Sequence, residues 1–300
     1  MEKILRVGNA YQKKILARLG YKLTRLKESK TAENKVYTDP LDSLVLRQLG
    51  LKSSFKCPIE LCRQETGFGF GTNQWHPFVA ALKEYAKSGV NKYEGSILQK
   101  FYQNWNPQSA AEVLAGFNQA PESFGNFPTY GHYLMPWRVD SSLERMRKDV
   151  DQWSARDYQE HEHQQLNMKD DGYKNYGPVS RRLGEFEYNR LVNIYEKIKR
   201  EGYQRDHGDV GVMMIKDNSD YIFMLRGGGV HRTAALAALG YTTIPATFIV
   251  QDYFIDTKYV NHWPQVKSGL WQSDEAIAYI KYLFNFDSCS WAKRNACWLQ

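Results

Sequence analysis

The sequence predicts an α+β protein: a small mixed-sheet domain with a mainly helical N-terminal extension and a helical C-terminal tail. Three observations predict it. Val210 to Ile215 and Tyr221 to Leu225 read as two strands separated by the turn Lys216-Asp-Asn-Ser219. Residues 226–236, Arg-Gly-Gly-Gly-Val-His-Arg-Thr-Ala-Ala-Leu, end the second strand on glycines and open a small-residue helix. Upstream of about 170 the apolar residues recur mostly at helical spacing.

Taken in order, residues 1–30 place Ile4, Leu5, Tyr11, Ile15, Leu16, Leu19, Leu23 and Leu26 among Lys and Arg, a basic amphipathic helix. Such a helix packs on its own domain or lies on an anionic membrane surface. Residues 28–40 are polar and read as a linker. The stretch 57–72, with Gly67-Phe-Gly69-Phe-Gly71, reads as an irregular loop with aromatic anchors, because it follows no clear strand. Helices are expected at about 77–88, 96–104 and 109–117, the last with Ser109 as N-cap. Segment 118–140, rich in Pro and Gly, is an ordered connection. A charged helix then runs from Ser141, with Glu144 at capping-box spacing, to about Gln165. It ends in Glu160-His161-Glu162-His163, whose histidines do not share a helix face and read as solvated, with no metal site.

Pro178 to Glu187 is a loop or extended entry to a helix at 187–200. Leu191, Ile194 and Ile198 form the apolar face of that helix, and Arg190, Asn193 and Lys197 line another. A helix at 232–239 ends on Gly240. Residues 243–250 form the next strand, where Pro245 suggests an edge or entry position. The aromatic tail 251–300 holds one helix, with Ser273 as N-cap. The expected boundaries are therefore 1–40, 41–170, 171–250 and 251–300.

Chemistry concentrates at the glycine turn. Glycines permit positive φ and close approach of a ligand to the backbone. The N–H groups opening the next helix make an anion site, and His231 and Arg232 stand at that opening. The alternative is structural: Arg232 paired with a carboxylate and His231 capping a turn. Net charge is +7, which suits an anionic partner and equally suits a basic protein without one. Cys57, Cys62, Cys289 and Cys297 lack zinc-ribbon spacing and read as buried free thiols. No apolar run approaches a membrane span and no signal-peptide core opens the chain, so a cytoplasmic location is expected.

Gly228-Gly229-Val230-His231-Arg232-Thr233-Ala234-Ala235, then Leu239-Gly240 and Thr243-Ile244-Pro245-Ala246, resemble the ParB/sulfiredoxin superfamily over about residues 176–250. Sulfiredoxins carry a similar Gly-Gly-Cys-His-Arg motif. Here Val230 stands in place of the cysteine, so sulfinic-acid repair at this position is excluded. The resemblance implies nucleotide-phosphate binding by Gly227, Gly228, Gly229, Val230, His231, Arg232 and Thr233, with Arg190, Asn193 and Lys197 as further contacts. The ParB-like small-molecule kinases imply phosphoryl transfer from ATP or another nucleotide to a hydroxyl of a small molecule or sugar, with Mg²⁺ bridging the phosphates. His231 would stabilise the transferring charge, and Glu185 or Glu187, in the place of an acidic residue before the first helix, would accept the hydroxyl proton. Either glutamate also suits a helix start through the dipole alone.

Two alternatives stand beside the kinase. One is a ParB-like DNA-binding or nucleotide-switch protein, which the absence of an evident helix-turn-helix after 250 disfavours. The other is a non-catalytic nucleotide or phosphoglycan sensor. His76-Pro77-Phe78-Val79, Tyr93-Glu-Gly-Ser96, Phe101-Tyr102 and Trp263-Pro-Gln-Val266 resemble uncharacterised proteins associated with bacterial surface-polysaccharide biosynthesis, which implies a glycan context.

Overall fold

A computed structural model describes residues 35–89, 91–139, 142–160, 165–206, 208–249 and 254–298. The helix expected at 1–30 lies outside these residues, as do Ser141 and the histidines of the 160–163 motif.

The fold is α+β, built on a seven-stranded mixed sheet. Its strands are β1 (Val36–Tyr37), β2 (Ser54–Pro58), β3 (Cys62–Arg63), β4 (Val210–Asp217), β5 (Asp220–Leu225), β6 (Thr243–Phe248) and β7 (Phe254–Asp256). The order is β1-β2-β6-β4-β5-β3, with β7 continuing beside β4 where β6 leaves off. The main helices are α1 (Pro40–Gln48), α2 (Pro77–Ser88), α3 (Ile97–Asn104), α4 (Leu143–Glu160), α5 (Arg181–Glu201), α6 (Val230–Ala238), α7 (Ser273–Asn285) and α8 (Ser288–Arg294).

The expected hairpin is present as β4 and β5, antiparallel from Val212↔Leu225 to Asp217↔Asp220. The turn is tighter than expected, because β4 runs on through Asp217 and Asn218 takes the left-handed conformation (φ 53°) that asparagine tolerates. The expected boundary at 170/171 is not a break in the sheet. β2 pairs antiparallel with β6, and β3 pairs parallel with β5. Residues 54–63 thus form two short strands joined by a 3-10 turn at Ile59–Leu61, the first on β6 and the second on β5. The two ends of the sheet curl toward each other: Cys57 and Cys62 Sγ atoms lie 3.6 Å apart, and Phe55, from β2, packs its ring against Phe223 (5.2 Å) and Phe248 (4.8 Å). The main core runs continuously from Leu44 to Cys297.

Other departures have local causes. Residues 36–48, expected in part as linker, form β1 and α1, the latter capped by Asp39 and started by Pro40. The helix expected at 109–117 starts at its Ser109 cap but stops at Val113, because Ala115 and Gly116 take positive φ (33° and 91°). α5 begins at Arg181, six residues before the expected start, where Ser180 Oγ accepts the Leu183 N–H. Glu185 and Glu187 therefore lie inside the helix, not before it. α6 starts at Val230 and not at 232, directly after the glycines. Pro245 lies in an interior strand, between β2 and β4. It is tolerated because the β4 ladder begins one residue later, at Val210↔Ala246. In α7 the cap is Gln272, not Ser273, in a reciprocal capping box with Glu275.

The helices at 77–88 and 97–104 and the irregular 118–140 segment are as expected. The tail packs on the core: Trp271 Nε1 donates to Leu134 O at 2.8 Å, and Tyr279 is buried. No described helix is long and apolar enough to cross a membrane.

Candidate functional site

β3 and β5 run parallel, so their carboxyl ends emerge together, beside the start of β4. The glycine turn leaves from there. Gly227, Gly228 and Gly229 all have positive φ (63°, 97° and 97°), a run that side-chain-bearing residues adopt only at a cost. Gly229 caps α6: its carbonyl accepts the Thr233 N–H at 2.8 Å and the Thr233 hydroxyl at 2.9 Å. The N–H groups of Val230, His231 and Arg232 precede the first intrahelical bond and point out of the helix end. Gly227 and Gly228 are exposed, and a Cβ at Gly228 would meet nothing within 4 Å. A Cβ at Gly229 would press on Val210 Cγ1 at 2.8 Å.

The His231 side chain turns away from this opening into the core. Its Nε2 lies 2.6 Å from Glu187 Oε2, and its ring packs 5.0 Å from Phe78. Burial and the Arg190 charge hold the imidazole at about 4, so it is neutral near pH 7 and donates Nε2–H to the carboxylate. Burial opposes charge on Glu187 too, but His231, Lys174 and Arg190 hold its carboxyl below the ordinary range. Arg190 forms a two-pronged bond to Asp157 (2.9 and 3.1 Å), which Lys174 also meets at 2.7 Å. Burial opposes the charge of Asp157, yet Lys174 and Arg190 hold that carboxyl far below its usual value. A buried ionic chain thus links α4, the 173–176 turn, α5 and α6. Glu187 Oε1, Tyr158 Oη and Arg190 Nε are buried within this region without hydrogen-bond partners.

The remaining expected residues divide. Arg232 stays at the rim, donating to Gly208 O at 2.6 Å and Tyr203 Oη at 3.2 Å. This is a backbone partner and not the carboxylate expected of a structural arginine. Glu185 faces outward and bonds Arg181 Nε at 2.7 Å. Asn193 and Lys197 are exposed on α5, on a face other than that of Glu187. Thr233 is buried and serves the cap. The structure brings Glu187, Arg190 and His231 together, and leaves Glu185, Asn193 and Lys197 outside that group.

Sequence reasoning missed Glu65. Glu65 stands in the turn two residues beyond the Arg63↔Met224 pair, Arg226 two residues beyond it on the other strand, and the Arg226 charge acts on Glu65. Its side chain is about 10% exposed. Burial opposes its charge, but His132 and Arg226 hold the carboxyl below the ordinary range. His132 Nδ1 donates to Thr129 O at 2.6 Å, which directs Nε2 toward Glu65 Oε1, 4.0 Å away. That separation is too long for a hydrogen bond, and Nε2 is buried without a partner. Tyr133, Tyr173, Tyr176 and Tyr279 surround the same carboxylate closely enough for its charge to raise their hydroxyl pKa beyond the effect of burial. Tyr133 and Tyr173 share a 2.7 Å hydroxyl contact, and Tyr279 Oη donates to the Glu65 carbonyl at 2.7 Å. Next along the chain, His76 is fixed between Gln64 Oε1 (3.0 Å) and the Phe78 N–H (3.1 Å). Burial and the neighbouring His231 bring it to about 3.

Among the described residues no group of three or more His, Cys, Asp or Glu is placed to hold a metal ion. The four cysteines are free thiols, three of them buried. No protein-family model matches the chain, and no curated protein matches it.

Proposed function

We propose that the protein binds a nucleotide by its phosphates at residues 227–233 and transfers a phosphoryl group to a hydroxyl of a small molecule or glycan. The observation that carries this reading is the left-handed run Gly227–Gly229, its first two glycines exposed, at the carboxyl ends of two parallel strands and opening directly into α6. The open space at Gly228 leaves room for a phosphate against the backbone, so the residues fit the group. The N–H groups of Val230, His231 and Arg232 would hold it, with Arg232 adding charge at the rim. The nucleotide supplies the activated phosphoryl group, and Mg²⁺ neutralises its oxygens. The buried His231–Glu187 pair fixes the first turn of α6, so the donors are organised before the ligand arrives.

This reading keeps the ParB/sulfiredoxin-like assignment and the small-molecule kinase class as proposals, with surface-glycan precursors as the acceptor context. It also keeps the basic segment 1–30 as a contact to an anionic membrane surface at its inner face.

The test is a thermal-shift screen of ATP, ADP, CTP and GTP with Mg²⁺ on the wild type and on Arg232→Ala. A nucleotide shift that weakens in Arg232→Ala supports the reading. No shift with any nucleotide removes it. Turnover with nucleotide retained in wild type and lost in Glu187→Gln, with nucleotide binding intact, would give Glu187 a role beyond support of α6. Full turnover in both Glu185→Ala and Glu187→Gln removes both as proton acceptors.

A further inference from the structure

We propose that Glu65 and the side chains around it form the acceptor site, that its ligand is a neutral, hydroxyl-rich molecule of the sugar or polyol class, and that Glu65 takes the acceptor proton. This rests on the reading of the glycine turn as the phosphate site, and supplies the half of the reaction that the turn does not.

The placement is the first argument. Glu65 lies in the turn two residues after β3, within reach of the charge of Arg226, which directly follows β5 and directly precedes Gly227. A carboxylate one strand away from the turn stands beside a group held there, which neither Glu185, on the outer face, nor Glu187, sealed against His231, does. The second argument is unused bonding capacity. His132 Nε2 is fully buried, has no partner, and is aimed by its Nδ1–Thr129 bond toward a carboxylate it does not reach. Two adjacent hydroxyls of one ligand would bond both, one donating to the Glu65 carboxylate and the other to Nε2. The third is the surrounding chemistry. The hydroxyls of Tyr133, Tyr173 and Tyr176 stay protonated, since burial and the Glu65 charge push Tyr176 up to about 12 and raise the other two well above the ordinary tyrosine value. One hydroxyl of the Tyr133–Tyr173 pair donates to the other, which leaves the second and that of Tyr176 as neutral groups that can bond a sugar oxygen. A single carboxylate among neutral donors suits a neutral polyol; an anionic acceptor would meet like charge at Glu65.

The step balances with a nucleoside triphosphate as co-reactant. The acceptor oxygen bonds to the terminal phosphorus as its proton passes to the Glu65 carboxylate. The bridging P–O bond breaks, and its electron pair leaves on the nucleoside diphosphate.

The experiment uses the full chain and a fixed probe set: glycerol, D-ribose, D-glucose, D-mannose and N-acetyl-D-glucosamine. Saturation-transfer NMR measures their binding to wild type, Glu65→Gln and Tyr176→Phe, each checked by circular dichroism. Transfer of labelled phosphate from ATP·Mg²⁺ is measured in parallel, with ATP thermal shift as the control. At least one probe is expected to bind wild type, and to bind Glu65→Gln at least tenfold more weakly. Phosphoryl transfer should fall at least a hundredfold in Glu65→Gln while its ATP shift is unchanged. Tyr176→Phe should raise KM more than it lowers kcat, and it carries the test if Glu65→Gln does not fold. No probe bound by wild type, or binding and transfer unchanged in the variants, overturns the proposal. Sugar binding that depends on Glu65 without any ATP shift supports the acceptor site and overturns the phosphate reading separately.

Discussion

His231 and Glu187 share a 2.6 Å hydrogen bond beneath the first turn of α6, with Glu187 fully buried and His231 nearly so. The bond joins the helix that opens from the glycine turn to α5, and Arg190 and Lys174 surround it with positive charge. Removing the acceptor leaves His231 Nε2–H buried and unbonded and an uncompensated Arg190 nearby. Glu187→Ala is therefore expected to destabilise the protein by about 3–5 kcal/mol, and Glu187→Gln, which keeps an acceptor oxygen, by less. Urea unfolding of both variants checks the order.

Asp157 compensates two cations at once, Arg190 and Lys174. Asp157→Ala is expected to cost about 3–5 kcal/mol, because it strands both in a largely buried place. Replacing Lys174 with Met should cost markedly less, since Arg190 keeps its two bonds to Asp157. Equal losses in the two variants would show that the ionic chain does not act through Asp157.

His76 and His231 stand at about 3 and about 4, below the ordinary histidine value of 6.5. Between about pH 6.5 and pH 4 the unfolded chain binds more protons than the native one, so stability falls as pH drops through that window. Each histidine contributes up to about 1.4 kcal/mol per pH unit. Below the ordinary carboxylate range, the depressed Glu65, Glu187 and Asp157 act in the same direction. Unfolding free energies measured from pH 7.5 to pH 4.5 should decline steadily; a flat profile would mean that one or both imidazoles are protonated in the native state.

The two exposed-turn glycines separate strain from packing. Gly228→Ala adds a Cβ into open space at φ 97° and is expected to cost about 1–2 kcal/mol of backbone strain. Gly229→Ala has the same φ and also presses on Val210, so it should cost about 1–3 kcal/mol more. Both should weaken any nucleotide thermal shift, Gly228→Ala doing so at the smaller loss of melting temperature.

Local chemistry was what sequence could read. The β4–β5 hairpin, the glycine turn, Gly240 after α6 and the cap at Ser109 are each specified within a few residues. Distant pairing was not readable. Residues 54–63 alternate poorly and carry Pro58, and they become β2 and β3 only because β6 and β5, some 160–190 positions onward, supply their ladders. α5 starts early enough to include Gly184, a residue of low helix propensity. Its lack of a side chain admits the Tyr93 ring, which a Cβ would meet at 2.2 Å. Glu65 belongs to no motif; its neighbours His132, Tyr173 and Arg226 come from three separate stretches of chain.

The strand–turn–strand segment at 54–63 also determines how this chain can be divided. Cutting out residues 171–250 would retain the glycine turn, yet it would strip β2 from β6 and β3 from β5, baring two hydrophobic edges prone to intermolecular pairing. It would also discard Glu65. Chain synthesis delivers residues 54–63 about 160–190 positions before their sheet partners exist, so completion of the sheet has to await the C-terminal half, and any minimal folded fragment must span both.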